Sequence, residues 1–197
     1  MKKPFLLFLL LCVTILTGCL VRSLHPLYTK KDIIFDDKII GIWSDEENAK
    51  WQFTKDSDGY KLVHFDKRGN KAQFDIHLLA LGKYKFIDLY LTDLDENFGE
   101  KFNGFGLLHL VPVHTFMRVD SIDKEIKLRF FNLEWLEKTV KENPNSITHI
   151  KTGKNDDATV ILTADTPELQ KFVLKNAEGE AFSQELVLKQ MNGLLSE

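Results

Sequence analysis

The sequence has little cysteine, and what it has lies at one end. Cys12 and Cys19 are the two cysteines in 197 residues, so the body of the chain offers no disulfide, no thiolate nucleophile and no cysteine ligands for zinc. Positive charge is not in excess either, because 26 Lys and Arg stand against 29 Asp and Glu. Nucleic-acid binding needs clustered Lys and Arg to neutralise phosphates, so we expect no nucleic-acid partner.

Catalytic motifs are also missing. The chain has no Gly-x-Ser-x-Gly elbow and no Gly-x-x-x-x-Gly-Lys-Ser/Thr loop. The segment 93–97 begins like a calcium loop, but Phe98 stands in place of its invariant glycine and Gly104 in place of its bidentate glutamate. We predict no catalytic residue and no cofactor, and a binding protein is favoured over an enzyme.

Histidine pairs do not supply a metal site. His109 and His114 are an odd number of residues apart on a predicted strand, so they point to opposite faces. His64 and His77 are predicted to share a face, but two histidines without a third ligand do not make a structural zinc site. We therefore predict no bound metal.

One stretch is long and apolar. Residues 5–16 follow Lys2-Lys3 and run into Leu16-Thr17-Gly18-Cys19. Twelve residues fall short of the roughly 20 that span a bilayer as a helix. The order basic, apolar, small is that of a secretory signal peptide. Its ending resembles the lipobox of bacterial lipoproteins, which implies cleavage between Gly18 and Cys19 and attachment of fatty acyl chains, such as palmitate, at Cys19.

The lipoprotein resemblance implies a place in the cell envelope with the membrane as a partner. Leu20 is not the aspartate that resembles an inner-membrane retention signal, and no acidic run follows Cys19. In a Gram-negative cell this implies an outer-membrane protein that faces the periplasm. We divide the chain into a signal peptide (1–18), a lipidated N-terminus and tether (19–37) and a single β-rich domain (38–197).

From Ile39 onward, short segments rich in β-branched and aromatic residues alternate with turns. The pattern predicts a mainly β fold, an antiparallel meander that forms an open or closed barrel-like sheet. Two short helices are predicted at about 132–142, capped by Asn132, and at about 166–176, capped by Thr166. With Gly69 and Asn70 at a turn, Phe65 should face Phe74 across a hairpin. The chain from Gly179 onward has no clear pattern.

Large apolar residues occupy both faces of the predicted strand 84–91, so it should be covered on both sides. Asp88 then needs a partner, and Arg118 on a later strand is the predicted one. The alternative is that Asp88 among aromatic residues has a raised pKa and acts as an acid or base.

Gly41-Ile42-Trp43 at the start of the meander resembles the Gly-x-Trp opening of the calycins, which include the lipocalins. The resemblance implies a barrel closed at one end by Trp43, with an arginine, Arg129 or Arg118, packed over the indole. The chain departs from lipocalins because their Thr-Asp-Tyr motif is not recognisable.

The predicted loop 92–108 carries Phe98, Phe102 and Phe105, which either plug the core or form a lid at a ligand site. These features predict a membrane-anchored, non-enzymatic binding module for an apolar small molecule or an envelope component. The alternative is an interaction or assembly module without a ligand cavity, and a hydrolase is less favoured.

Overall fold

The computed structural model describes residues 20–94, 110–153 and 159–191. In this part of the chain there are eleven β-strands and two α-helices. The strands are β1 (Arg22–Ser23), β2 (Gly41–Ser44), β3 (Lys50–Lys55), β4 (Tyr60–Phe65), β5 (Lys71–Leu81), β6 (Tyr84–Leu94), β7 (His114–Ile122), β8 (Glu125–Phe130), β9 (His149–Thr152), β10 (Thr159–Leu162) and β11 (Gln184–Gln190). The helices are α1 (Leu133–Glu142) and α2 (Thr166–Lys175).

Eight of the strands close into an antiparallel barrel. Their order is β6-β5-β4-β3-β2-β11-β8-β7, and pairing of β6 with β7 completes the circle. This confirms the predicted β-rich barrel with two helices in the C-terminal half. A barrel of eight strands has an interior just wide enough for side chains to fill.

Large apolar side chains point into the barrel from alternate positions. Trp43, Phe53 and Tyr60 are each 1 % exposed, and the Trp43 indole N–H donates to the Ile39 carbonyl at 2.9 Å. The other buried residues of this inner core are Ile39, Leu62, Ile76, Leu78, Ile87, Leu89, Met117, Val119, Ile126, Leu128 and Leu188.

A second core lies outside the barrel, where α1, α2 and the N-terminal segment pack against β5, β6 and β7. Phe86 and Phe116 on the barrel wall meet Phe131, Leu169 and Phe182 in this outer core. Strand β6 is therefore buried on both faces, as its sequence predicted: Phe86 and Ile87 are 0 % and 1 % exposed.

The segment predicted to be a tether is part of the fold from Leu20 onward. Strand β1 pairs antiparallel with β7 and parallel with β10, and β9 follows at the edge. These strands extend the sheet beyond the barrel. Further along the segment, the Ala80 N–H donates to the Asp32 carbonyl at 2.9 Å.

Two local expectations need correction, and one segment without a sequence-based prediction forms a strand. Phe65 faces Lys71, and Phe74 pairs with Leu62, because the turn runs from Asp66 to Asn70 and the Asp66 carboxylate accepts backbone N–H groups within it. The cap of α2 is Asp165, which accepts from the Glu168 N–H at 3.0 Å. The segment after Gly179 contains β11, which lies between β2 and β8 in the barrel.

Candidate functional site

Four buried polar or charged residues occur in the described part of the chain, and they lie close together. Ser23, His77, Asp88 and His114 are 0 %, 9 %, 0 % and 9 % exposed. All four belong to adjoining strands, since His77 is opposite Asp88 and His114 is opposite both Tyr90 and Ser23. The neighbours of His77 and Asp88 along their strands fill the barrel, so these two side chains, and that of His114, point outward, towards the N-terminal segment in which Ser23 lies.

Asp88 is the centre of this polar cluster. Its Oδ1 lies 2.7 Å from Nδ1 of His114, and its Oδ2 accepts the backbone N–H of Leu27 at 2.8 Å. A carboxylate accepts, so the His114 Nδ1 carries the proton. Both oxygens of this fully buried carboxylate are thus hydrogen-bonded, and these bonds offset the free-energy cost of removing it from water.

His114 is held on two sides. Asp88 fixes one ring nitrogen, and the Tyr90 ring lies 4.7 Å from the imidazole, centroid to centroid. No described residue is hydrogen-bonded to its Nε2. The nearby Ser23 hydroxyl donates instead to the His25 carbonyl at 2.7 Å, so the described residues do not form a Ser-His-Asp triad.

Tyr28 and His77 lie on the β5 side of the cluster. Their rings stack at 4.1 Å, and Oδ2 of the exposed Asp58 is 3.9 Å from the His77 Nε2. Burial, followed by the negative charges of Asp88, Asp58 and Asp75, raises the pKa of Tyr28 to about 12. The phenol is therefore protonated at neutral pH and does not act as a base.

The cluster fastens the N-terminal segment between the barrel and α2. Leu27 is fully buried, its N–H bonds to Asp88, and its carbonyl accepts from the Gln170 amide at 2.9 Å. The Thr166 hydroxyl donates to the Pro26 carbonyl at 2.8 Å. These bonds hold the chain that follows Cys19 against the barrel wall.

No protein-family model, no curated protein and no solved structure matches this chain. Its function must therefore be argued from the geometry of the fold and of this cluster.

The predicted pairing of Asp88 with Arg118 is wrong. Asp88 is opposite Phe116, and His114 and Arg118 flank Phe116 on the same face. Arg118 lies towards the other end of β7, where its Nε donates to Asp120 at 2.9 Å and its Nη1 donates to the Ala177 carbonyl. His114 is therefore left as the partner of Asp88.

The predicted packing of an arginine over Trp43 is also wrong. Trp43 points into the barrel, whereas Arg129 points outward and donates to Asp120 at 2.6 Å. Burial raises the pKa of Asp120, but hydrogen bonds from Arg118 and Arg129 outweigh it and leave that pKa below its ordinary value. Both arginines therefore belong to a partly exposed cluster outside the barrel.

Some of the predicted site residues fall outside the part of the chain that the structure describes. The candidate lid residues Phe98, Phe102 and Phe105, and the processing residues Gly18 and Cys19, lie outside the described residues. In the part of the chain that is described, no group of three or more His, Cys, Asp or Glu side chains is placed to hold a metal. Within the same ranges, no helix has the length and apolar character to cross a membrane.

An open depression of about 520 Å³ lies near the other end of β6 and β7. Charged side chains that line it are paired with one another: Lys83 contacts Glu178 at 2.8 Å, and Arg118 contacts Asp120 at 2.9 Å. These ion pairs leave little charge for an ionic ligand, so the depression is the weaker candidate.

The sequence did not identify Leu27, Tyr28, His77 or His114 as members of the cluster. The one signal was Asp88, an acidic residue on a strand with large apolar side chains on both faces. Its partners come from distant parts of the chain, and a parity pattern does not identify them.

Proposed function

We propose that the protein is a lipid-anchored protein of the bacterial cell envelope, cleaved before Cys19 and acylated there. In a Gram-negative cell it sits on the outer membrane and faces the periplasm. It acts as a non-enzymatic module that binds another envelope component at its outer surface. The observation that carries the proposal is that the chain joins the fold at Leu20, which forms a bridge with Asn132. An anchor on the preceding residue would hold the whole barrel.

The occupied barrel interior favours binding at the outer surface. Trp43, Phe53 and Tyr60 are all buried within it, together with a shell of aliphatic side chains. An apolar ligand inside the barrel would have to displace these side chains, and large core rearrangements cost several kcal/mol. Carriage of a small molecule inside the barrel is therefore the weaker version of the binding hypothesis.

The polar cluster supports a structural role more than a catalytic one. Asp88 uses one oxygen to orient His114 and the other to hold the Leu27 backbone. The hydroxyl of Ser23, the residue opposite His114, donates to the His25 carbonyl and not to His114. The cluster therefore fits the task of fixing the anchored segment to the barrel.

Membrane fractionation of two cysteine variants tests the anchor. Cys19→Ala removes the acylation site, and Cys12→Ala is the matched control because Cys12 lies in the apolar run that cleavage discards. We expect wild type and Cys12→Ala in the membrane fraction, resistant to high salt, and mature-sized Cys19→Ala absent from it. Equal membrane retention of all three proteins would contradict the proposed anchor.

Purification from the native envelope tests what the module binds. We expect in-envelope crosslinking to return one reproducible neighbour, and extraction of the protein to yield no apolar compound in stoichiometric amount. A bound lipid or pigment that persists through purification would instead support the ligand-carrier version.

A further inference from the structure

The extension formed by β1, β10 and β9 has one covered and one uncovered face. On the covered side, Val21, Ser23, Val160 and Leu162 are buried against the helices and the outer core. The register places Arg22 beside Ile161 and Ile161 beside Ile150 on the other side. We call this second side the open face; its residues are Leu20, Arg22, Leu24, Ile150, Thr152, Thr159 and Ile161.

The open face is apolar for a surface. Leu20, Leu24 and Ile150 are 41 %, 43 % and 48 % exposed, and they are three of the eight exposed large apolar side chains in the described part of the chain. Leu110 and Val111 are two more of the eight, and they precede β7. Strands β1 and β7 are antiparallel and Ser23 is opposite His114, so the residues before His114 run towards the same end as the residues after Ser23. Leu110 and Val111 therefore lie towards the end of β1 at which Leu24 is found. Grouped exposed apolar residues mark a contact surface.

The charge of the open face suits a lipid surface. Its one charged residue is Arg22, whose guanidinium donates to the Thr159 hydroxyl at 2.9 Å, and none of its seven residues is acidic. Arginine can lay its aliphatic stem along apolar surface while its charge meets phosphate headgroups.

The position of Cys19 identifies the occupant. Consecutive Cα atoms are about 3.8 Å apart, and Leu20, the residue bonded to Cys19, belongs to the open face, so acyl chains on Cys19 would be attached one residue from this face. Leu20 forms a backbone bridge with Asn132. Further along the same segment, the Leu27 N–H donates to the Asp88 carboxylate, a contact that we call the Asp88 clamp. No spacer separates the lipid from the folded domain.

We propose that the open face lies against the bilayer surface into which the acyl chains of Cys19 insert. The inference rests on the proposed acylation of Cys19 and adds a fixed orientation to it. The lipid surface covers Leu20, Leu24 and Ile150. The turn between β7 and β8, at the opposite end of β7 from Ser23, faces away from the membrane, and so does Met191, where β11 ends beside Glu125.

Single-cysteine labelling tests this orientation, because the mature body has no cysteine besides the acylated Cys19. Leu24→Cys and Ile150→Cys place a fluorophore on the open face. Met191→Cys is the matched control, since Met191 is 45 % exposed and its backbone bonds to Ile42 at the end of β11. Each lipidated protein is purified from its own envelope and placed in phosphatidylcholine and phosphatidylglycerol vesicles that contain a headgroup-level spin-labelled lipid.

We expect loss of fluorescence at positions 24 and 150 when the spin-labelled lipid is present, and no loss at position 191. Circular dichroism confirms that each variant is folded. Equal quenching at all three positions, or quenching at none, in protein that floats with the vesicles and carries acyl chains by mass would overturn the orientation and leave the anchor intact. Protein without acyl chains that does not float would overturn the anchor, and the orientation with it.

Discussion

At the residue scale, Asp88 connects the N-terminal segment to the barrel. It is fully buried, and its two oxygens are bonded to His114 on β7 and to the backbone of Leu27. A buried polar pair adds little stability in comparison with a well-packed apolar pair, but removal of Asp88 leaves two buried N–H donors without an acceptor. The stability of the contact between the N-terminal segment and the barrel should therefore depend on the Asp88 side chain far more than on the surface ion pairs.

Asp88→Ala should lower the free energy of unfolding by about 3–5 kcal/mol, because it leaves His114 and the Leu27 N–H without their acceptor. The control is Asp75→Ala on the neighbouring strand β5, whose carboxylate pairs with the partly exposed Lys61. That change should cost less than about 1 kcal/mol. Urea denaturation measures both, and equal losses in the two variants would contradict the assigned role of Asp88.

His64 should make stability depend on pH. Burial lowers the pKa of His64 below its ordinary 6.5, although Asp45 and Asp66 oppose the shift. The unfolded chain then binds more protons than the folded chain just below pH 6.5, so stability is complete above that pH and falls as the solution becomes more acid.

His64→Gln should therefore show a smaller loss of unfolding free energy than wild type between pH 7 and about pH 5. Urea denaturation at a series of pH values measures the difference. Parallel curves for the two proteins would show that His64 is not the titrating group.

The burial of Asp88 could be predicted from the sequence pattern of its own strand. Its partner could not, because that depends on how β6 and β7 are aligned. The pattern around Asp88 indicated burial and the need for a partner. His114 and Arg118 have the same parity on β7 and flank Phe116 equally, so the pattern could not choose between them. The choice is made by Asp120 and Ala177, which hold Arg118 at the other end of the strand.

At the element scale, closure of the barrel depends on β11. This strand pairs with β8 over six residues and with β2 over two. Without it, β2 and β8 would each be an open edge with unpaired backbone groups. Its inward residue Leu188 is fully buried in the inner core.

Leu188→Ala should lower the free energy of unfolding by about 2–5 kcal/mol, because it leaves a cavity where β11 meets the inner core. Glu185→Ala on the same strand is the control, since Glu185 is exposed and should change stability by no more than about 0.5 kcal/mol. Thermal unfolding followed by circular dichroism compares them. A small effect of Leu188→Ala would mean that β11 contributes little to the barrel.

Local pattern predicted most strands and both helices, but not the alignment that depends on turns and distant pairing. The Asp66 carboxylate organises a five-residue turn, which shifts the β4–β5 register from the one predicted with Gly69 and Asn70 at its centre. Strand β11 was not recognised because its alternation is weak and its partners lie far away in the chain. Strand β1 has only two residues and gives no period.

At the scale of the whole molecule, a filled barrel is joined directly to the residue that follows the proposed lipid. The inner core gives a rigid body, and the Asp88 clamp fixes the N-terminal segment to its wall. We therefore expect the domain to move with its anchor as one unit. Its contacts with other envelope components would then be made by surfaces turned away from the membrane.

The proposed anchor and orientation both require that Cys19 is the acylated first residue of the mature protein. Intact-mass measurement of the protein, purified in detergent from its own envelope, tests it directly. We expect the mass of residues 19–197 plus a diacylglyceryl group and one further acyl chain. The mass of the whole chain, or of a processed chain with an unmodified Cys19, would contradict it.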